Sequence, residues 1–191
     1  NLDRLKNAGA ELTFFSPITE ALPPVDLLYL GGGYPELHAD SLGSSPACRQ
    51  IRTAVEDGMP VLGECGGLMY LGRGLSGDDE NGKEVRWVDI LPAEAWMERR
   101  FQALGYTQGV AQGGPSLAPA GTPIQGHEFH YSRIEPEPDA RYAIRLSRGK
   151  GICEGKDGIY VENCMGCYTH AYFSEEMAGR LVDAGHRFQH R

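Results

Sequence analysis

Along the first seventy residues, short apolar runs alternate with stretches of helical spacing, the pattern of βα units feeding a parallel sheet. Residues 1–9 read as the closing turns of a helix, with Leu2 and Leu5 on one face. Residues 11–15 and 26–30 predict two short, buried strands. Gly31, Gly32 and Gly33, followed by Tyr34, Pro35 and Glu36, then form a loop at a strand's carboxyl end, since three glycines cost too much backbone entropy inside an element. Ile51, Ala54 and Val55 fall at helical spacing within 46–57, and Gly58 is the stop signal. A strand over 60–64 and a helix over 66–71 follow, and the polar run 74–83 predicts a surface loop. The second half changes character: 103–111, 125–134 and 142–147 predict strands separated by Gly/Pro-rich turns, an antiparallel elaboration. A last strand over 158–161 and a polar knot over 162–170 precede a helix over 174–188. Ser174 is its N-cap, with Glu175 and Glu176 in its first turn.

The chain has 191 residues, 41 % of them hydrophobic, enough for one conventional core, so residues 1–191 are expected to form a single α/β domain. No run approaches the roughly 20 apolar residues of a membrane span, and the first residues lack a signal-peptide pattern. A net charge of −8 with scattered Lys and Arg argues against nucleic acid and anionic membranes as partners, leaving small polar substrates. Five cysteines, an odd number without an export signal, fit free thiols in a reducing, cytoplasmic compartment. Because the chain starts at Asn1, it is expected to be a piece of a longer polypeptide.

Gly63, Glu64, Cys65, Gly66 and Gly67 place a cysteine between a buried strand and a helix, with glycines on both sides, as in a nucleophile elbow. The helix dipole is expected to lower the thiol pKa, and the Gly66 N–H to point where an oxyanion would form. The loop Gly31–Gly33 ends the neighbouring strand and supplies further amide donors. A thiolate nucleophile needs a base, and His170, His130 and His127 are the candidates. His170 follows the last strand by a short polar turn, which carries it to the sheet's carboxyl edge, and it is preferred. His130 lies within an alternating strand. His38, His186 and His190 read as surface residues. The run Cys164, Cys167, His170 also has C-x-x-C-x-x-H spacing. With no second paired knuckle it is a weak zinc signal, and a metal on His170 would remove the base.

Five ordered motifs carry a resemblance that covers nearly the whole chain. They are residues 30–37 (LGGGYPEL), 63–71 (GECGGLMYL), 104–106 (LGY), 126–132 (GHEFHYS) and 168–170 (YTH). Together they resemble the C-terminal glutaminase domain of the cobyrinic acid a,c-diamide synthases. The resemblance implies a class I glutamine amidotransferase-like, flavodoxin-like fold: a mostly parallel sheet flanked by helices, with the antiparallel elaboration in the second half. It implies Cys65 as nucleophile, His170 as its histidine, and the amides of Gly66, Gly32 and Gly33 as oxyanion and glutamine-binding groups. Glu64, Tyr34, Glu128, His130 and Tyr131 are candidate substrate or interface residues. L-glutamine is the implied substrate, with no metal or cofactor in this domain. ATP and Mg²⁺ would belong to an N-terminal synthetase domain that activates the a and c carboxylates of a corrin. No G-x-x-x-x-G-K-S/T run occurs in the present chain. Two departures stand out: Cys167 and Tyr172 occupy positions where the family usually has Ser and a second His, and no Glu lies two residues after His170, so a Cys-His dyad is expected. Amidation of hydrogenobyrinic acid or nickel-sirohydrochlorin, a non-catalytic module of the same fold, and a Cys hydrolase of related fold are the competing readings.

Overall fold

The computed structural model describes residues 1–77, 84–115 and 118–191. The chain opens with helix α1 (Leu2–Asn7) and continues through strand β1 (Leu28–Leu30), a 3₁₀ turn (Pro35–His38), α2 (Ala39–Ser44) and α3 (Pro46–Glu56). Next come β2 (Val61–Glu64), α4 (Gly66–Leu71), β3 (Gly74–Ser76), β4 (Val85–Arg86), β5 (Ala93–Met97) and β6 (Ala103–Ala111). β7 (Pro123–His130), β8 (Ser132–Pro136), β9 (Arg141–Arg148), β10 (Lys156–Val161), β11 (Cys164–Cys167), β12 (His170–Ala171) and α5 (Glu175–Gln189) complete it.

Local signals set the helix ends. Ser45 Oγ accepts the Cys48 N–H at the start of α3, and Gly58 at φ 97° closes that helix by donating to Val55 O. The expected N-cap Ser174 accepts the Met177 N–H at the start of α5.

Eight strands form the main sheet in the order β1-β2-β11-β10-β9-β6-β7-β12. Only β1, β2 and β11 run parallel; every other neighbouring pair is antiparallel. The α/β class and the antiparallel elaboration stand, but the expectation of a mostly parallel sheet does not. Parallel neighbours need long crossovers, and the tight connections of the second half favour antiparallel pairing. A smaller sheet, β4-β3-β5-β8, packs beside the main one. The apolar core lies in two clusters on opposite faces of the main sheet. Val61, Leu68, Leu91, Ile159 and Cys164 belong to one, while Leu62, Ile144, Met165, Cys167 and Met177 belong to the other.

Three sequence expectations need correction. Residues 11–15 form no strand: Phe14 is 73 % exposed, and among the described residues β1 has a ladder partner only in β2. A cleft of about 850 Å³, lined by Leu12, Phe15, Leu28 and Leu30 among others, runs between this segment and the edge of β1. The segment is followed by a turn closed by Glu20 N–H on Ser16 O. Within the expected loop 74–83, Gly74–Ser76 is strand β3 of the small sheet, where Ser76 Oγ donates to Glu94 at 3.0 Å; residues 78–83 lie outside the described residues. The expected strand 125–134 is two strands. It leaves the large sheet after His130 and joins the small one at Ser132, because Ala103–His130 and Ala95–Ile134 pair with different partners. The polar knot also holds β11, all four residues of which are buried.

Candidate active site

The parallel pair β1 and β2 ends in the two glycine segments that frame the site. After β2 the chain turns at Cys65, whose φ of 51° and ψ of −101° place a non-glycine residue in strained backbone. Small neighbours let the turn pack: a Cβ on Gly67 would collide with the Leu30 carbonyl, and one on Gly66 would lie 2.9 Å from the Gly33 backbone nitrogen. The two glycine clusters therefore touch, as the sequence implied. The N–H groups of Gly32 and Gly33 are not engaged by backbone acceptors among the described residues. Both glycines line a cavity of about 930 Å³ together with Tyr34, Cys65, Leu104, Tyr106, His127, Phe129, His170 and Tyr172.

Cys65 itself is buried, and its Sγ donates to the Phe129 carbonyl at 3.7 Å. Burial pushes the thiol up to about 11, although the Gly66 N–H works in the opposite direction. The expectation that the helix dipole would lower this pKa is overturned. α4 is a single short helix of six residues, and desolvation beneath β7 outweighs its N-terminal donor.

His170 sits in β12, the strand that closes the far edge of the sheet on β7 through the His170–His127 register. The curl of the sheet returns this edge to the ends of β1 and β2. One side of the His170 ring packs so closely on Gly32 that no Cβ could fit between them. The other partner is His127, stacked nearly parallel at 4.8 Å between ring centroids. Burial first, then the neighbouring His127 and His130, hold the His170 pKa below the ordinary imidazole value, so it is neutral at pH 7. A neutral ring can accept a proton.

The remaining candidates divide by strand alternation. In β7 burial alternates, leaving His127 and Phe129 exposed and Glu128 and His130 buried, and Glu128 lines the cavity together with His127 and Phe129. Glu128 accepts the N–H groups of Lys150 and Gly151 at 2.6 and 3.0 Å and stands 3.9 Å from His130. Burial pushes its carboxyl up, but His130 and the Lys150 and Gly151 N–H groups outweigh it and hold the carboxyl below the usual carboxylate range. The His130 ring stacks on Tyr168 at 3.5 Å, and its Nδ1 faces Ser132 O. Both side chains are thus held by buried neighbours. Tyr131 stacks on Phe101 at 4.1 Å, away from the cavity lining, while Tyr34 is exposed at its mouth. Glu64 is not a surface carboxylate; it is 2 % exposed. Cys164 and Cys167 point to opposite faces of the sheet, so the C-x-x-C pair does not converge on one ion. His127, set behind His170 as a candidate base, belongs to the site as its stacking partner, and its alternation with Phe129 is the sequence signal that points to this.

A glutamine amidotransferase fold, with a cysteine elbow set against a glycine loop and a histidine, is what these elements define. Fold comparison agrees. The chain resembles the solved PurLQS structure from Thermotoga maritima with a TM-score of 0.62 at 13 % identity, over 89 % of this chain and 82 % of that one. A second solved structure, a glutamine amidotransferase, superposes with a TM-score of 0.53 at 14 % identity, over 87 % and 80 %. The family is narrower than the fold: residues 1–178 match the model of the CobB/CobQ-like glutamine amidotransferase domain, and the chain belongs to that family. Among curated relatives, the cobyrinate a,c-diamide synthase of Archaeoglobus fulgidus is 43 % identical over 95 % of this chain, and that of Halobacterium salinarum 40 % identical over 92 %. The chain spans about 40 % of the length of each.

Proposed function

We propose that this domain releases ammonia from L-glutamine through a thioester on Cys65. His170 takes the thiol proton, and the thiolate attacks the glutamine side-chain carbonyl carbon. The negative oxygen rests on the N–H groups of Gly66 and of Gly32 or Gly33. His170 returns the proton as the C–N bond breaks and ammonia leaves. Water, deprotonated by His170, then attacks the thioester; the C–S bond breaks, His170 returns the proton to the Cys65 sulfur, glutamate is released and the free thiol is regenerated. The observation that carries this reading is the strained Cys65 elbow sharing one cavity with His170 and the Gly32 and Gly33 amides.

We infer further that the ammonia serves ATP-dependent amidation of the a and c carboxylates of cobyrinic acid, as the names of the relatives imply. ATP and Mg²⁺ would be held by the remaining part of a longer polypeptide. The test of the domain's own chemistry is labelling with a diazo-ketone analogue of glutamine, located by peptide mass spectrometry. Modification confined to Cys65, blocked by excess glutamine, absent in Cys65→Ser and slowed in His170→Ala is the expected outcome. A folded sample that leaves Cys65 unmodified would overturn the reading. The acceptor is tested in the full-length polypeptide by supplying cobyrinic acid, ATP and Mg²⁺ and following amide formation by mass.

A further inference from the structure

Glu64 is a carboxylate with no exposed surface to justify it, placed immediately before the nucleophile and across the sheet's closure from the histidine. Tyr29 Oη donates to its Oε2 at 2.6 Å, and the Ala171 N–H donates to its Oε1 at 3.0 Å. Ala171 is the neighbour of His170 in β12, so the carboxylate fastens the strand that carries the base. Its Oε2 lies 3.8 Å from His170 Nδ1, beyond a direct hydrogen bond yet within reach of a small ring rotation. Tyr29 is fixed in turn: the Asn1 side chain donates to Tyr29 Oη at 3.3 Å and brackets β12, donating to Ala171 O at 2.7 Å and accepting from Phe173 N at 2.9 Å. Burying a carboxylate costs several kcal/mol unless its oxygens are satisfied. A purely structural position would more readily hold an amide or an apolar residue.

We propose that Glu64 is the positioning residue of His170, completing a Cys65–His170–Glu64 triad in which the carboxylate comes from the elbow itself. The inference rests on the reading of Cys65 and His170 as nucleophile and base. With Nδ1–H directed to the Glu64 carboxylate, the ring is held in the tautomer whose Nε2 is free to take the thiol proton. The ionised carboxylate then stabilises the imidazolium that forms. This supplies the orienting group that no residue after His170 provides.

The groups facing Glu64 define its titration. They are Tyr29 from β1, Cys65 at the elbow, Cys167 from β11, Asp157 from β10 and His170 from β12. Facing His170 are His127 and His130 from β7. Burial, only partly offset by Tyr29 and the Ala171 N–H, pushes Glu64 up to about 7. Since the competent form has Glu64 ionised and His170 neutral, the acid limb of the rate profile follows Glu64.

The experiment measures the maximal rate and half-saturating concentration for labelling of Cys65 by the diazo-ketone analogue between pH 5 and 9, in this chain and in its Glu64→Gln and Tyr29→Phe variants. Glu64→Gln keeps an acceptor for Ala171 and is expected to lower the maximal rate about 10- to 100-fold with half-saturation nearly unchanged. Its acid limb should move to lower pH, where only His170 titrates. Tyr29→Phe removes a donor from the carboxylate and should move the limb the opposite way, to higher pH. A structural role would change the melting temperature and leave both limbs in place. An unchanged rate and profile in folded Glu64→Gln, with His170→Ala strongly impaired, overturns the Glu64 assignment alone. Full labelling in His170→Ala overturns the underlying base assignment instead.

Discussion

Gly32→Ala separates the site from the scaffold. The φ of Gly32 lies outside the left-handed region, so alanine meets no backbone strain there. The unfolded chain loses freedom instead, a gain of about 0.4–1 kcal/mol in stability. The new Cβ would nonetheless overlap Cε1 of His170, and an ordinary contact begins at 3.4 Å. Relief requires the ring to move by roughly 1 Å, and a misplacement of that size costs on the order of 10²-fold in rate. His127, stacked on His170, moves or separates with it. The expected outcome is a urea midpoint equal to or above that of the parent, by Trp fluorescence, with labelling of Cys65 about 100-fold slower. Gly67→Ala is the contrast. Its Cβ meets the Leu30 carbonyl, a backbone atom that cannot swing aside, so stability falls by about 1–3 kcal/mol. If Gly32→Ala labels within about threefold of the parent, His170 does not act from the position it holds here.

Three further outcomes follow from the same geometry. Glu64 has a folded-state pKa of about 7 against an ordinary 4.5, so the folded state binds its proton more tightly and stability falls as pH rises through that window. Two and a half pH units at 1.36 kcal/mol each give about 3 kcal/mol, a loss that urea titrations at pH 5 and 8 should show in the parent but not in Glu64→Gln. The Cys65 thiol, pushed up to about 11, should react slowly with iodoacetamide at pH 7, and its rate should still be climbing at pH 9. A rate that levels off near pH 7 would contradict the burial argument. Ser174→Ala removes the acceptor of the Met177 N–H and should cost about 1 kcal/mol, lowering the melting temperature by roughly 2–4 °C without altering Cys65 labelling.

Local chemistry was legible in the sequence, and pairing across the chain was not. The elbow at Cys65, the glycine loop after β1 and the caps of α3 and α5 each depend on residues within a few positions of one another, where backbone sterics and orphan hydrogen-bond groups act directly. The expected strand at 11–15 failed because an apolar run records only that a segment can bury a face. Whether it finds a ladder partner depends on the turn at Ser16–Glu20 and the edge of β1. β12 was invisible for a related reason: two residues carry no periodicity, and their pairing with β7 joins positions more than forty residues apart.

Burial accounts for what was read wrongly within the site. His127 and His130 look alike in sequence, yet strand alternation buries His130 against Tyr168 and leaves His127 on the cavity beside His170. The same closure that brings β12 to β2 makes Glu64, expected as a substrate or interface residue, a buried acceptor for Ala171 and Tyr29. It also dries the thiol, so that desolvation rather than the dipole of a six-residue helix sets the Cys65 pKa. In the proposed reaction, a thiol held protonated by its surroundings needs the neutral imidazole that lines the same cavity. The position of that ring is set by a glycine on one side, a stacked histidine on another and, by the proposed triad, the elbow's own carboxylate.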